Sequence, residues 1–340
     1  LKLYSLSPIA LSDAVPALEN FGFRVLEELP TLLGEGGDLG HIHRFILTLG
    51  EGQEAAPLLD RVSVVEPALS GVLEGRVEND RFNQLMVSAG LDERGVVLFR
   101  ALFRYLRQTG LAYGLQTVAD ALRRAAPIAR DLVSLFDALH DPARQAQGEK
   151  AAAAADGAID KALAQVAAID DDRILRLYRA VIRATLRTNM FAPAAAEALA
   201  FKLESAQVPG LPDPKPWREI FVYSPRVEGI HLRAGPVARG GLRWSDRRDD
   251  FRTEILGLMK AQRVKNAVIV PTGAKGGFYP KQLPDPANRD AWLAEGTESY
   301  RIFIRTLLSI TDNLVKGKVV HPKQRSEERR VGKECLRLCR

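Results

Sequence analysis

The fold is decided by the stretch Lys-Ala-Gln-Arg-Val-Lys-Asn-Ala-Val-Ile-Val-Pro-Thr-Gly-Ala-Lys-Gly-Gly-Phe, which spans residues 260–278. Its first residues end a helical pattern that covers 250–264, and its next apolar run, 267–270, predicts a short buried strand. Pro271 ends that strand, and the glycine-rich residues 273–277 predict a turn. Because α/β folds bind ligands at the carboxyl ends of their strands, this turn is a candidate site.

Cations stand beside paired glycines in this stretch and before it. Arg239 precedes Gly240 and Gly241, Lys275 precedes a second glycine pair, and Lys265 lies between them. Glycine lets a backbone approach a ligand closely, and neighbouring cations suit the recognition of carboxylate or phosphate groups. A dicarboxylate needs two separate cationic contacts and a third polar group at its reacting carbon. Arg239, Lys265 and Lys275 are candidates for these three roles.

Other cations near these glycines are expected on solvated faces, because most lysines and arginines of amphipathic helices are exposed. They are Arg243, Arg247, Arg248 and Lys260. A phosphate-binding P-loop is excluded, because Lys275 precedes its glycine pair and no serine or threonine follows directly. A dinucleotide fingerprint is excluded as well, since no G-x-G-x-x-G follows a strand anywhere in the chain.

The composition is that of an ordinary globular protein. The chain has 340 residues, 46% hydrophobic and 26% charged, and this length predicts two or three structural units. Its two cysteines, Cys335 and Cys339, exclude a disulfide scaffold and a four-cysteine zinc site. The net charge of +6 does not indicate nucleic-acid binding. Half of it comes from six basic and three acidic residues at 325–340, and no basic stripe is interleaved with aromatic residues.

No part of the sequence indicates a membrane span or a secretion signal. No apolar run reaches the roughly 18 residues that a membrane span requires. Residues 1–30 contain acidic side chains and no signal-type apolar core. We therefore expect a cytoplasmic protein without a membrane partner. The chain begins with Leu1 instead of methionine, so we expect its amino end to be missing or processed.

The periodicity along the chain predicts an α+β and α/β protein of several domains. Residues 1–52 alternate strand and helix patterns, and Gly22 ends the first helix. Residues 53–205 read as almost entirely helical, with apolar positions at helical spacing. Asp80 and Asp92 can each start a helix there, and one helical pattern covers 171–188. A further helical pattern covers 287–315. The α/β segment 206–322 opens with four prolines within eight residues, which forbid a regular helix there. The polar, basic residues 323–340 match nothing before them and are expected to be unrelated or disordered.

Three long motifs resemble the large bacterial NAD-specific glutamate dehydrogenases. They are Pro225-Arg-Val-Glu-Gly-Ile-His-Leu-Arg233, Ala238-Arg-Gly-Gly-Leu-Arg-Trp-Ser-Asp-Arg-Arg248 and the stretch from 260 to 278 quoted above. Residues 1–49 are similar to the ACT-like regulatory modules of the same family. The resemblance covers residues 1–322 in the family's order. It implies an ACT-like βαβ unit, then a helical region, then the substrate-binding part of the catalytic domain.

The resemblance implies a role for each candidate residue. In the smaller glutamate dehydrogenases a Lys-Gly-Gly-Leu-Arg motif binds the side-chain carboxylate, and here Arg239, Gly240 and Gly241 stand in its place. The family's Lys-x-Ala-Val segment, which binds the main-chain carboxylate, matches the segment that begins at Lys265. The Gly-Ala-Lys-Gly-Gly motif makes Lys275 the catalytic lysine. An arginine can bind a carboxylate through its guanidinium fork, so the change from lysine is compatible with the same contact.

The activity implied is the NAD-dependent oxidative deamination of L-glutamate to 2-oxoglutarate and ammonia by a homo-oligomer. In that family a catalytic aspartate and a Rossmann domain for NAD would follow the present sequence, so we expect the isolated chain to be inactive. The alternative is a regulatory or scaffolding module that binds effectors or partner subunits without catalysis. The cations at 239, 265 and 275 favour the enzyme, because an interaction module needs no glycine-flanked lysine at a strand end.

Overall fold

A computed structural model describes the chain over residues 1–50, 55–144, 146–236, 238–265, 272–315 and 318–320. The chain divides into two compact units, one with residues 1–100 and 114–130 and the other with 101–113 and the residues from 131 onward. Each unit has a β-sheet of its own. None of the helices in the described ranges combines the length and the apolar composition that crossing a bilayer demands.

The sheet of the first unit is built from the first 50 residues. Its strands are β1 (Lys2–Ser5), β2 (Phe23–Leu33) and β3 (Gly40–Leu49), and β3 lies in the middle, antiparallel to both neighbours. Helix α1 (Leu11–Asn20) connects β1 to β2. Gly22 has a φ of 92°, a conformation that side-chain-bearing residues avoid, and it ends the helix as the sequence predicts.

Several helices follow in the first unit. They are α2 (Ala55–Leu59), α3 (Val62–Leu73), α4 (Gln84–Ser88), the amino-terminal half of α5 (Glu93–Gln108), and α6 (Leu115–Arg124). Two aspartates start helical segments where the sequence predicts, because their carboxylates accept hydrogen bonds from amide groups of the first turn. Asp80 accepts from the Phe82 amide at 3.0 Å, and Asp92 accepts from the Gly95 amide at 2.8 Å.

Three further helices precede the larger sheet. They are α7 (Ala126–His140), α8 (Gly148–Leu163) and α9 (Ile169–Ala184). The prediction that α9 continues to residue 188 is wrong, because the chain becomes strand β4 (Thr185–Thr188) directly after the helix. All four residues of β4 are buried, and a short buried run carries no periodicity that separates helix from strand.

The larger sheet has seven strands within the described ranges. They are β4, β5 (Leu199–Leu203), β6 (Arg218–Tyr223), β7 (Val227–Arg233), β8 (Ala238–Arg239), β9 (Leu242–Trp244) and β10 (Thr272–Pro280). The spatial order is β4-β5-β6-β7-β10, all antiparallel, and β8 and β9 follow each other along the far edge of β10 and run parallel to it. Because β4 and β5 lie within 53–205, the prediction that this region is almost entirely helical is wrong at its carboxyl end.

The larger sheet has a helix on each face. Helix α10 (Phe251–Lys265) lies on one face, where Ile255 packs against the glycines of β10. Helix α11 (Arg289–Ser309) lies on the other face, where the ring of Phe303 stacks on that of Phe278 with centroids 5.9 Å apart. The apolar core on the α11 face consists of Ala198, Ala200, Ile220, Val222, Val227, Phe278, Ile302, Phe303, Leu307 and Ile310.

The boundaries of α11 differ from the predicted helix, which covers 287–315. Asn288 caps the start, because its side chain accepts a hydrogen bond of 3.2 Å from an amide of the first turn. The helix ends at Ser309, and the chain continues as β11 (Asn313–Val315), which pairs antiparallel with β12 (Lys318–Val320). The last residues of the predicted helix are therefore a strand.

Candidate functional site

The predicted glycine-rich turn is a strand. Residues 273–277 form the first half of β10, which pairs with β7 on one side and with β8 and then β9 on the other. The prediction of a turn at the carboxyl end of a strand is therefore wrong. The strand predicted at 267–270 lies outside the described residues, as does the predicted tail from 323 onward.

The glycines of β10 are required by the packing of neighbouring elements. A Cβ atom at Gly277 would come 2.5 Å from the side chain of Ile255, and one at Gly273 would come 3.1 Å from that of Gln262, both on α10. A Cβ atom at Gly276 would overlap a side chain of β9. Glycine therefore lets β10 run as a strand beneath a closely packed helix, a use of glycine that periodicity does not reveal.

Lys275 is the charged residue of β10. Because side chains alternate along a strand, it lies on the same face as Gly273 and Gly277, the face that α10 covers. Its register partner on β7 is Leu232, which is fully buried. Lys275 itself is half-buried. On this face the aliphatic stem of Lys275 is therefore flanked by Leu232, Gly273 and Gly277.

Arg239 lies on the same face of the sheet as Lys275. It is the register partner of Gly273 in the parallel pair of β8 and β10, and paired residues on neighbouring strands point to the same side. A strand spacing of about 4.8 Å and a rise of about 3.3 Å per residue place the Cα atoms of Arg239 and Lys275 roughly 8 Å apart. Both side chains are long enough to contact one small ligand between them.

Gly240 and Gly241 separate β8 from β9 and are subject to different constraints. Both strands keep the same register offset against β10, so the glycine pair interrupts a single ladder. A Cβ atom at Gly240 would overlap the carbonyl oxygen of Ala274, whereas one at Gly241 would have no atom within 4 Å. The packing of the described chain thus requires glycine at 240 and leaves Gly241 open to the approach of a ligand.

Lys265 is the last residue of α10 and is exposed. One turn earlier, the side-chain amide of Gln262 donates a hydrogen bond of 3.2 Å to the carbonyl oxygen of Arg239. The carboxyl end of α10 therefore lies beside β8. The rest of the motif that the sequence associates with Lys265, residues 266–268, lies outside the described residues.

The three predicted site cations differ from the neighbouring arginines in their side-chain contacts. Within the described ranges, the side chains of Arg239, Lys265 and Lys275 make no hydrogen bond or ion pair with one another or with any other residue. By contrast, Arg243 and Arg247 form ion pairs with carboxylates of α10 and of the residue before it. The ion-paired arginines thus have structural partners, whereas the three candidates have none among the residues that the structure describes.

His231 lies on the opposite face of the sheet from Lys275. It is the register partner of Gly276. Burial lowers the pKa of His231 to about 4, and the charge of Arg233 acts in the same direction. The imidazole is therefore neutral at physiological pH and adds no charge behind the cation cluster.

The arrangement suits a small anion with more than one carboxylate. Arg239 and Lys275 lie on the same face of the sheet, and Lys265 ends the helix that covers this face. Charge-assisted hydrogen bonds from such groups are among the strong polar contacts in proteins. Within the described ranges there is no cluster of three or more His, Cys, Asp or Glu side chains suited to a metal ion.

A buried polar cluster that the sequence did not indicate lies beside the site. Tyr105, Glu219 and Arg252 are each at most 1% exposed. The Tyr105 hydroxyl donates to Glu219 at 2.5 Å, and Nε of Arg252 donates to the same carboxylate at 2.9 Å. The available signal was Glu219, an acidic residue directly before the apolar run of β6, because a buried carboxylate needs partners.

The chain combines helices with sheets, and its larger sheet places Arg239 and Lys275 along the glycine-rich strand β10. Matches to known families identify the class of protein. Residues 158–330 match the catalytic domain of bacterial NAD-glutamate dehydrogenase, 77–142 match helical motif 3 of glutamate dehydrogenase, and 1–58 match its ACT3 domain. The first match covers more than half of the chain, which therefore belongs to the bacterial NAD-glutamate dehydrogenase family. The resemblance inferred from the motifs is confirmed.

NAD-specific glutamate dehydrogenases from three bacteria are similar to nearly the whole chain. The protein of Pseudomonas aeruginosa is 48% identical over 334 residues, that of Halomonas elongata 47% over 321, and that of Mycobacterium tuberculosis 47% over 327. These alignments cover 94%, 93% and 90% of the chain but 20% of each relative. The chain thus spans about a fifth of the length of the curated relatives that it matches.

Proposed function

We propose that the protein carrying this chain oxidatively deaminates L-glutamate to 2-oxoglutarate and ammonia with NAD as hydride acceptor. The observation that carries this proposal is the half-buried, glycine-flanked Lys275 on the same face of the sheet as Arg239. The relatives are named NAD-specific glutamate dehydrogenase, which supplies the reaction. The positions of the three cations suggest which residues bind the substrate and which one acts in the reaction.

Each cation takes one part of the substrate in this proposal. The guanidinium of Arg239 binds the side-chain carboxylate of glutamate, because its planar fork matches a carboxylate with two parallel hydrogen bonds. Lys265 binds the main-chain carboxylate. Gly240 and Gly241 border the side-chain carboxylate, and the open space at Gly241 lets the ligand approach the backbone.

Lys275 is the catalytic residue of the proposal. A substrate held at both carboxylates presents its α-carbon to the space above β10, where the ammonium group of Lys275 reaches it. After oxidation of the α-carbon, Lys275 would hold the attacking water and exchange a proton with it. A positioned acid–base group of this kind contributes about 10²–10⁴-fold to a reaction rate.

NAD is the cofactor of the proposed reaction, and the residues of this chain do not fit an NAD site. The sequence has no G-x-G-x-x-G after a strand, and within the described ranges no strand leads through such a turn into a helix. We therefore assign no NAD contact to these residues and derive no step from the cofactor. We expect the 340-residue chain alone to form no NADH from glutamate and NAD.

The catalytic role is tested with Lys275→Met in a full-length dehydrogenase that contains this segment. We expect kcat/KM for glutamate, measured by NADH formation, to fall by about 10²–10⁴-fold, because the acid–base group is lost. The matched control is Lys260→Met. It removes an exposed cation from α10, the helix that covers the Lys275 face of the sheet, and should change the rate less than about twofold. A Lys275→Met enzyme that retains most of its activity would exclude the assignment.

The regulatory or scaffolding alternative makes a different prediction. In that case the isolated chain would bind an effector or subunit, and the full-length activity would not depend on Lys275. Calorimetric titration of the 340-residue chain with 2-oxoglutarate distinguishes the two. Binding that is lost in Arg239→Met supports the substrate site. Unaltered binding in both Arg239→Met and Lys275→Met, together with full activity, supports the alternative.

A homo-oligomeric, cytoplasmic enzyme is part of the same proposal. Sedimentation velocity of the full-length protein at several concentrations tests the first property, and fractionation of the cells that produce it tests the second. A monomer at all concentrations, or activity confined to a membrane or secreted fraction, would contradict the corresponding prediction.

A further inference from the structure

The carboxyl-terminal half of α5 holds the start of α10. The Nη1 atom of Arg104 donates to Asp249 at 3.0 Å, and the side-chain amide of Gln108 donates to the carbonyl oxygen of Arg248 at 2.7 Å. The amide oxygen of Gln108 accepts from the backbone N–H of Arg252 at 3.1 Å. An amide side chain that both donates and accepts in this way fixes the backbone on both sides of the helix start.

Tyr105, on the same turn of α5, reaches the same helix through a carboxylate. Its hydroxyl donates to Glu219 at 2.5 Å, and Arg252 donates to the other oxygen of Glu219 at 2.9 Å. Burial, and then the charge of Glu219, raises the pKa of Tyr105 well above its usual value, so the hydroxyl keeps its proton. We call Arg104, Tyr105 and Gln108 the α5 anchor.

The α5 anchor and the candidate catalytic lysine share one row of the sheet. Glu219 is the register partner of Leu232, and Leu232 is the register partner of Lys275. Partners in a ladder point to the same face, and two strand spacings place the Cα atoms of Glu219 and Lys275 roughly 10 Å apart. The anchor therefore acts on the face that carries the site cations.

Helix α10 contacts β10 at Gly273 and Gly277 and the backbone of β8 at Arg239, so a displacement of the helix would reach the site. The side chain of Ile255 leaves no room for a Cβ atom at Gly277, and Gln262 bonds the backbone of Arg239 at 3.2 Å. The 15-residue helix α10 is about 22 Å long. If it shifts as a rigid element, a displacement of its start also displaces its carboxyl end. A shift at its start would change the position of Arg239 relative to Lys275.

We propose that the α5 anchor is a set of positioning residues for the substrate site. It fixes the start of α10 and, through this helix, the spacing between Arg239 and Lys275. This inference rests on the proposed function, because it assigns the anchor a role in the same reaction. The anchor residues touch neither cation, so their effect is on geometry and not on the chemical groups themselves.

Two variants of a full-length dehydrogenase that contains this segment test the inference. Gln108→Met removes both backbone contacts, and Tyr105→Phe removes only the hydroxyl. We expect kcat/KM for glutamate to fall about tenfold to a hundredfold in Gln108→Met and less in Tyr105→Phe, since misplacement of about 1 Å costs up to 10²-fold.

The control is Tyr113→Phe, which removes an exposed tyrosine hydroxyl bonded to Asp170 and should leave kcat/KM unchanged. All rates are measured well below the melting temperature of each variant. If the wild type is active and both anchor variants have the wild-type kcat/KM, the positioning role is wrong while the proposed function stands. An inactive wild type would refute the proposed function instead.

A readout that does not need activity separates positioning from general destabilisation. Amide hydrogen exchange of the 340-residue chain should rise at the carboxyl end of α10 and in β10 in Gln108→Met, and not in Tyr113→Phe. If exchange rises equally in every element, or only at the first turn of α10, the helix does not transmit the contact and the inference fails.

Discussion

Two adjacent glycines of the candidate site, Gly240 and Gly241, should respond differently to the same substitution. Gly240→Ala places a methyl group on the carbonyl oxygen of Ala274, so the backbone must move. We expect the free energy of unfolding to fall by about 3 kcal/mol. Gly241→Ala meets no atom within 4 Å and should change it by less than about 0.5 kcal/mol. Urea unfolding of the 340-residue chain measures both.

The same pair also separates packing from ligand binding. If the backbone of Gly241 borders the substrate, Gly241→Ala in a full-length enzyme should raise KM for glutamate while stability stays unchanged. Equal losses of stability in the two variants would contradict the close approach of Gly240 to Ala274.

The side-chain carboxylate contact predicts a change of specificity. Arg239→Met in a full-length enzyme should raise KM for glutamate at least tenfold, because a charge-assisted contact of about 1.5–3 kcal/mol is lost. L-Norvaline has the same carbon chain without the second carboxylate, and its KM should change less than about threefold. Arg239→Lys should recover part of the glutamate affinity. Equal changes for both substrates would exclude Arg239 from the side-chain contact.

At the residue scale, the sequence indicates candidate site residues and does not indicate the residues that support them. Lys275 and Arg239 are candidates because each stands beside paired glycines, which is a pattern visible in the sequence alone. Tyr105 and Arg252 were missed because their partner, Glu219, is more than a hundred positions from one of them and is brought to both by folding. Buried polar contacts between distant residues leave no local signal.

At the scale of elements, helix starts were predicted and the site strand was not. Asp92 starts α5 because a carboxylate can accept from the first free amides, a short-range effect. Residues 273–277 were interpreted as a turn because three of the five are glycine. They form a strand because α10 packs so closely that side chains at Gly273 and Gly277 would not fit, a constraint set by tertiary packing.

Two helical glycines offer a test of how the helices pack on the sheet. Gly257 of α10 is exposed, and a methyl group there would have no atom within 4 Å, so Gly257→Ala should raise the free energy of unfolding by about 0.5–1 kcal/mol. Gly296 of α11 lies against the ring of Trp244, so Gly296→Ala should lower it by about 1–3 kcal/mol. Denaturation followed by tryptophan fluorescence compares them.

The fluorescence itself reports on the packing at Gly296. Trp244 stacks on Trp292 with ring centroids 4.5 Å apart, and a methyl group at 296 should displace this pair and change the emission of the folded state. A stabilised Gly296→Ala variant with unchanged emission would mean that α11 does not lie closely on this face of the sheet.

At the scale of the whole molecule, His231 predicts how stability depends on pH. Its folded-state pKa of about 4 lies below the unfolded value near 6.5, so the unfolded chain binds the proton more readily. The stability it contributes is fully present above pH 6.5 and is lost as the pH falls from there towards 4. His231→Gln should therefore flatten the stability profile between these values, by roughly 1 kcal/mol at pH 5 after allowance for partial exposure.

The measurement compares wild type and His231→Gln by urea unfolding at pH 7.5 and pH 5. Carboxylates that titrate in the same range are common to both chains, so their contribution cancels in the difference. An identical pH dependence in the two chains would show that the imidazole stays accessible to protons in the folded state.

The types of domain in the chain were predictable from the sequence, whereas the borders between them were not. A mixed protein of several domains followed from changes in periodicity, and the family matches fit an ACT3 domain, a helical motif and a catalytic domain in that order. The predicted border at 205 separates β4 and β5 from the sheet to which they belong. Their short, fully buried runs carry no periodicity that separates strand from helix, so the sequence did not reveal that they belong to this sheet.

Strands β8 and β9 keep one register against β10, so the number of residues between them fixes the face of the sheet on which Arg239 lies. Because side chains alternate with a period of two, one residue added beside Gly240, with β9 kept in place, would turn Arg239 to the side of the sheet that carries His231. In the proposed reaction, Lys275 would then act on a substrate whose side-chain carboxylate is not bound by Arg239. Relatives that keep this ladder are expected to gain or lose residues here only in pairs.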